Sequence, residues 1–326
     1  MSKFSQVGWV GLGNMGTGMA QNLAKHLKET NQSPLLTFNR TTSKITSLSS
    51  NGYSITPAKN LAQLGEECDL IFTSLAADGA AKEVIDGILE GVKRQGGKKK
   101  VIIVETSTVS TETAYELSQK ASAVEGVSYI QSPAFGPPPM AIEAKLVFVV
   151  AGPEDAKKAV EPYMVPIMGR KTLDLGTDVR KSTTFKLVGN GFIAGLIELL
   201  AESMTLANTS GVGDEAFLGF IKEFVPAPSA IGYGTKMVKS AFDAQPSGFA
   251  VDGGLKDVNH ILALGKETGA SLPVLEIVKK HLEHVRGMEE GAGAKYDWSS
   301  VVAAQRSESG LSPWKEEQKT TQKEKM

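Results

Sequence analysis

A chain of 326 residues exceeds what one hydrophobic core usually organises, so two domains are expected. A composition that is 41% hydrophobic and 22% charged, with a formal net charge of -1, excludes a disordered chain and leaves no electrostatic footprint for nucleic acid. The single cysteine, Cys68, excludes an intrachain disulfide and fits a reducing compartment.

The opening segment Met1–Gln6 is too short and too polar for a targeting peptide, so a cytoplasmic protein is expected. Apolar runs at Val7–Gly11, Leu35–Asn39, Asp69–Leu75, Val101–Glu105, Tyr129–Ser132 and Leu146–Ala151 are predicted strands. Met15–Thr30, Ala80–Lys93 and Thr111–Val124 carry helical patterns between them. A helix near Pro153–Ile167 and a strand at Lys171–Leu175 complete the unit. This rhythm predicts an α/β fold: a Rossmann-type doubly wound parallel sheet over residues 1–178.

After Gly176 the pattern is nearly all helical, so residues 179–310 are predicted to form an all-helical domain on a long central helix. The stretch from Phe185 to Ala207 has the apolarity of a membrane span. It also contains Lys186, Asn190, Glu198 and Glu202, which favours a helix buried inside a folded domain. His281 and His284 share a helical spacing and, without a further Cys/His cluster, read as a solvated face rather than a metal site. No metal is expected. The end, Lys315–Met326, alternates Lys, Glu, Gln and Thr with no apolar stripe, and residues 311–326 read as a disordered tail.

The first chemical signal is Val7-Gly8-Trp9-Val10-Gly11-Leu12-Gly13-Asn14-Met15-Gly16, a strand running through Gly-x-Gly-x-x-Gly into a helix. Gly11 permits a tight turn, Gly13 lets a pyrophosphate approach the backbone, and Gly16 lets helix and strand pack closely. The free N–H groups of the helix start then face an anion. The strand–turn–helix context is what lifts the motif above an ordinary glycine turn. At the end of the second strand, where an NAD site usually carries an acidic residue, the chain reads Asn39-Arg40-Thr41-Thr42-Ser43-Lys44. Arg40 can pair with a 2′-phosphate and lay its plane on adenine, with Thr41 and Ser43 as hydroxyl donors, so NADP(H) is the expected cofactor.

Gly11-Leu-Gly-Asn-Met-Gly16, Met19-Ala20-Gln21-Asn22-Leu23 and Asn39-Arg40-Thr41 resemble the β-hydroxyacid dehydrogenase family. That family takes in 3-hydroxyisobutyrate dehydrogenases, glyoxylate/succinic semialdehyde reductases and 6-phosphogluconate dehydrogenase. The resemblance continues through Glu105-Thr106-Ser107-Thr108-Val109, Lys186-x-x-x-Asn190 and Phe249…Lys256-Asp257. It implies Lys186 as the general acid/base, with Asn190 holding the substrate. It also implies Ser107 at the substrate, and Thr108, Leu75, Ala76 and Lys256 at the cofactor. Leu12, Asn14 and Met15 belong to the same cofactor set. Lys186 and Asn190, four apart, share one helix face and can converge on one oxygen. Burial would make such a lysine release its proton more readily. Asp257 is expected to hold helices together. Relatives are homodimers or homotetramers through the helical domain, which is the expectation here.

One segment departs from the family. Where relatives carry a Pro-Val-Ser-Gly-Gly type run that receives a substrate carboxylate, this chain reads Ser132-Pro133-Ala134-Phe135-Gly136-Pro137-Pro138-Pro139-Met140. Proline has no N–H and Phe135 has no hydroxyl, so donors vanish from the loop. Phe135 and Gly136 are still expected at the substrate, which an apolar or aromatic compound would suit better than a small carboxylate. The leading expectation is an NADPH-dependent reductase of a carbonyl compound, or oxidant of the corresponding alcohol. A resemblance to imine reductases, which usually replace the lysine, and a non-catalytic NADP-binding scaffold are the competing readings.

Overall fold

The computed structural model describes residues 4–96, 99–244 and 248–315. The chain divides into two compact units, residues 1–190 and 191–326. The division falls inside a helix rather than at residue 178. The helix's first turns are held by the first unit: Ser182 Oγ donates to the carbonyls of Val149 (2.6 Å) and Gln131 (3.2 Å).

In the first unit, β1 (Val7–Val10) enters α1 (Asn14–Glu29), followed by β2 (Leu35–Phe38), α2 (Thr42–Ser50), β3 (Ile55–Pro57) and α3 (Leu61–Glu67). Then come β4 (Leu70–Thr73), α4 (Asp78–Arg94), β5 (Val101–Glu105), α5 (Thr111–Ser122) and β6 (Val127–Gln131). These six strands form one parallel sheet in the order β3-β2-β1-β4-β5-β6, the doubly wound order of dinucleotide-binding folds. Its two faces separate by the strand period of two. Val7, Trp9, Leu35, Phe72, Val104 and Ile130 pack with Met19, Leu23 and Leu27 of α1 on one side. Val10, Ile71 and Ile103 pack with Leu64, Ile85, Ile88 and Leu117 on the other.

The expected single sheet is corrected in one respect. The strands predicted near Leu146 and Lys171 do not extend it. β7 (Ala134–Phe135), β8 (Leu146–Val150) and β9 (Gly169–Asp174) make a separate three-stranded sheet, with β7 antiparallel to β8. α6 (Pro138–Ile142) and α7 (Glu154–Met164) belong to this part. The proline run is thus not merely a stiff loop: Pro138 occupies the first turn of α6, where a missing N–H costs nothing.

α8 (Val179–Thr209) carries the chain from the first unit into the second. Among the described residues it is the one helix long and apolar enough to cross a membrane, and half of its apolar window is buried within the fold. Its burial is one-sided: Phe192, Leu199 and Leu206, seven apart, remain exposed. The second unit continues with α9 (Asp214–Phe224), α10 (Pro228–Lys239), α11 (Val251–Thr268), α12 (Pro273–Arg286), α13 (Ala292–Lys295), a 3-10 turn at Trp298–Ser300 and α14 (Val301–Glu308).

Two expectations are overturned in this unit. His281 is not on a solvated face: it is buried, and its Nδ1 lies 2.7 Å from Glu198 Oε1. Residues 311–315 are not a free tail. Trp314 packs its ring against Phe242 (5.4 Å) and Tyr296 (5.0 Å), and Lys315 pairs with Asp214. An isolated tryptophan among polar residues carries no periodic signal, yet offers a large apolar surface to bury. The remaining tail, residues 316–326, lies outside the described residues.

The buried pair has a pH consequence. Burial alone would lower the His281 pKa, but the hydrogen bond and charge of Glu198, with Glu308 beyond, hold it above the ordinary 6.5. A folded value above the unfolded one stabilises the protein fully below the unfolded pKa, and the gain is lost as pH rises through the folded pKa. The melting-temperature gap between wild type and His281→Gln should therefore be widest near pH 6 and narrow towards pH 9 in scanning calorimetry. A gap that widens with pH would contradict the pairing.

Candidate active site

The predicted cofactor residues of the first unit stand at the carboxyl ends of β1, β2, β4 and β5, where open α/β sheets receive ligands. Gly11 follows β1 with φ +98°, and a Cβ there would run into the Ser74 carbonyl, so only glycine makes this turn. Gly16 similarly abuts the Gly11 carbonyl and brings α1 hard against the strand end. Gly13 is exposed, with open space where a side chain would be, and it caps α1 without a side-chain acceptor. No acidic residue occupies the first turn. Asn14 and Met15 open the helix. A helix start with uncapped N–H groups and no nearby carboxylate fits a pyrophosphate.

The next strand end is tied to this turn. Asn39 Oδ1 accepts from the Leu12 N–H (2.8 Å), while Asn39 Nδ2 donates to the Thr41 carbonyl (2.8 Å). Lys44 Nζ donates to the Leu12 carbonyl (2.9 Å). Leu12 therefore serves as part of the scaffold: its side chain is buried and both backbone polar groups are engaged. The bracing roles of Asn39 and Lys44 left no mark in the sequence pattern. Arg40 and Thr41 are exposed, and Arg40 makes no ion pair among the described residues. Thr41 precedes α2, whose start also has no side-chain cap and no acidic residue in its first turn.

Leu75, half-buried, and exposed Ala76 follow β4. The Leu75 N–H donates to Ser107 Oγ (2.6 Å), which couples the loops after β4 and β5. Ser107 is buried and Thr108 half-buried just past β5. The unexpected member is Glu105, wholly buried. Its Oε1 accepts from the Ser107 N–H (2.7 Å) and its Oε2 from Thr73 Oγ1 (2.7 Å). Gln131 Nε2 donates to the Ser107 carbonyl (3.1 Å), and Tyr129 OH donates to Gln131 Oε1 (2.7 Å). Burial first, and the Glu105 charge second, push the Tyr129 hydroxyl upward, so it stays a neutral donor. Ser107 is thereby fixed at its N–H, carbonyl and hydroxyl alike.

Lys186 and Asn190 face the same way along α8. Lys186 is only 8% exposed, and its Nζ donates to Asn190 Oδ1 (2.9 Å). The ammonium also lies over the Phe135 ring, 4.3 Å from its centroid. Phe135 is held by β7 and meets Phe185 edge-on at 6.1 Å. A Cβ on Gly189 would come within 2.5 Å of Phe135 Cζ, so this glycine makes the socket for the ring. Gly136, next along, has φ +133°. The first unit thus brings together Phe135, Lys186 and Asn190 as one cluster, and Leu75 with Ser107 as another.

Lys256 belongs to the second unit, on α11, where its Nζ is 3.2 Å from Asp257 Oδ1. Asp257 is buried. Among the described residues no group of three or more His, Cys, Asp or Glu side chains could hold a metal ion.

Residues 6–176 match the family profile of the NAD-binding domain of 6-phosphogluconate dehydrogenase. Residues 181–304 match the profile for the NAD-binding region of NADP-dependent 3-hydroxyisobutyrate dehydrogenase. The uncharacterised oxidoreductase YfjR of Bacillus subtilis is 31% identical over 296 residues, covering 90% of this chain and 97% of the relative. The NADH-dependent oxidoreductase ucdB of Aspergillus ustus is 28% identical, covering 91% and 98%. Glyoxylate/succinic semialdehyde reductase 1 of Arabidopsis thaliana is 27% identical, covering 92% and 98%. Among solved structures, the 3-hydroxyisobutyrate dehydrogenase of Mycobacterium tuberculosis superposes with a TM-score of 0.76 at 20% identity, covering 93% and 100%. An imine reductase from Pseudomonas sp. has the related fold, with a TM-score of 0.57 at 17% identity, covering 93% and 99%. The first profile spans more than half of the chain and one relative exceeds 30% identity. The chain therefore belongs to the β-hydroxyacid dehydrogenase family and is an oxidoreductase working with a nicotinamide dinucleotide.

Proposed function

We propose that the protein is an NADP(H)-dependent oxidoreductase interconverting a carbonyl compound and its alcohol, with Lys186 as the general acid/base. The observation that carries this reading is the buried Lys186–Asn190 pair (2.9 Å). A lysine costs free energy to bury, and a proton donor aimed by a neighbouring amide is a use that repays it. Bound NADPH supplies the hydride. Lys186 would donate its proton to the substrate oxygen in reduction and take it back in oxidation. Asn190 keeps the ammonium aimed, and Ser107, fixed by Glu105 and Gln131, presents its hydroxyl to the substrate. Thr108, Leu75, Ala76 and Lys256 would line the cofactor, as the family pattern implies. Gly136 would line the substrate beside Phe135.

Preference for the phosphorylated cofactor rests on the end of β2. Arg40 is exposed beside the uncapped start of α2, with Thr41 and Ser43 as hydroxyls and no carboxylate in the first turn. Cationic and N–H donors converging without an acid suit a 2′-phosphate. A cytoplasmic setting accords with the single cysteine, Cys68, which leaves no intrachain disulfide to form. The exposed stripe Phe192, Leu199 and Leu206 would pack on a second copy of the chain. Replacing Leu199 and Leu206 together by Glu should then lower the mass found by light scattering to that of the monomer. An unchanged mass would remove the stripe from the interface.

The test of the activity is NADPH absorbance against a panel of aldehydes, keto acids, ketones and cyclic imines. Oxidation with the oxygen compounds supports the reading. Oxidation with cyclic imines alone would move the protein to the imine reductase reading, which the apolar Phe135 favours and Lys186 disfavours. Tight NADPH binding with no oxidation at all would leave a scaffold.

A further inference from the structure

The ring of Phe135 occupies a position that the backbone around it has been shaped to provide. β7 pairs with β8 at Phe135↔Val147, which fixes the strand that carries the ring. Gly189 leaves the space that the ring fills, and Phe185 meets it edge-on. The face of the ring is turned to the Lys186 ammonium at 4.3 Å. The electron-rich face of an aromatic ring stabilises a cation and is poor company for an anion.

The four residues after Phe135 offer a single backbone donor. Pro137, Pro138 and Pro139 have no N–H, and the Gly136 amide stands alone before them. A carboxylate set against this half-buried ring finds no hydroxyl or proline N–H to accept from, and the ammonium that could pair with it is already laid on the ring face. An uncharged planar or apolar group loses no hydrogen bonds there and gains contact with the ring.

We infer that Phe135 is a specificity-determining residue that rejects carboxylate-bearing substrates and selects uncharged carbonyl compounds with an apolar or aromatic substituent. This rests on Lys186 marking the reacting oxygen. The probes are benzaldehyde and succinic semialdehyde for turnover, with benzyl alcohol and 4-hydroxybutyrate for calorimetric binding to the NADP+-loaded protein. Wild type should favour the uncharged partner of each pair by about 100-fold, the scale of a buried unpaired group. Phe135→Ser should cut that preference at least about tenfold, because it removes the ring and adds a hydroxyl donor. Phe135→Leu keeps an apolar wall and should keep the preference.

A wild-type preference for the carboxylated partners would overturn the inference. So would a Phe135→Ser protein with unchanged ratios and a wild-type melting temperature. Should Phe135→Ser fail to fold, the wild-type and Phe135→Leu ratios decide. The binding pair needs no turnover, so an inactive wild type that still binds benzyl alcohol preferentially would defeat the carbonyl reductase reading while supporting the selectivity of Phe135.

Discussion

Lys186→Met should lower kcat/KM by about 10²–10⁴-fold, the usual contribution of a positioned general acid/base, while leaving dinucleotide affinity near wild type. The two effects separate because the glycine turn and the end of β2, which we assign to the cofactor, do not include this residue. Methionine keeps most of the apolar stem and removes a buried charge, so the fold should tolerate it. The cost is local: Asn190 loses the donor at 2.9 Å and Phe135 loses the cation on its face. Stopped-flow NADPH oxidation, with fluorescence titration of NADPH, checks both halves. Turnover within tenfold of wild type would take the proton-transfer role away from Lys186. Lost NADPH binding would instead mean that the substitution had damaged the cofactor site.

The second large effect is expected at Arg40. Arg40→Glu removes a charge-assisted pair worth about 1.5–3 kcal/mol and puts a like charge beside a 2′-phosphate. Each 1.4 kcal/mol is roughly tenfold, so the ratio of NADPH to NADH efficiency should fall about 100-fold or more. Because Arg40 is exposed and makes no ion pair among the described residues, stability should barely move. The new carboxylate could also accept from a ribose hydroxyl, so NADH efficiency should hold or rise. An unchanged ratio would sink the assignment. The fungal relative named as NADH-dependent makes wild-type preference worth measuring first. A wild type favouring NADH would give the Arg40 segment another task.

Much of the cofactor half could be read along the chain because its determinants are local. Gly11, Gly13 and Gly16 act through turn geometry over a few residues, and the strand before them and helix after them are visible in hydrophobic period. The shared helix face of Lys186 and Asn190 also follows from their four-residue spacing, while their roles are implied only by the family resemblance. What they face was not. Phe135 comes from a two-residue strand too short to show alternation, and Gly189 resembles any helical glycine until the ring is seen in its place. The Phe135 ring and Lys186 meet only because β7 and the first turns of α8 are folded together in the first unit.

The same physics accounts for the features that only packing reveals. The strands near Leu146 and Lys171 have the apolar run of a buried parallel strand, but period does not say which sheet a strand joins. His281 lies at a spacing shared with His284, and only the packing of α8 on α12 shows Glu198 opposite one and not the other. Glu105 looked like one acid in a motif, and its carboxylate became a brace only when Thr73 and Ser107 were brought to it.

By itself, then, the sequence determined the dinucleotide fold, the glycine turn, the cationic end of β2 and the lysine on its helix. These depend on local backbone geometry, side-chain period and charge. The tertiary structure decided which of those groups are held in internal hydrogen bonds, such as Leu12 and Asn39, and which, such as Arg40, stay exposed. It also decided that an aromatic ring covers the ammonium. Contacts between distant segments depend on how sheets and helices stack, and one residue's type cannot specify the partner that stacking supplies.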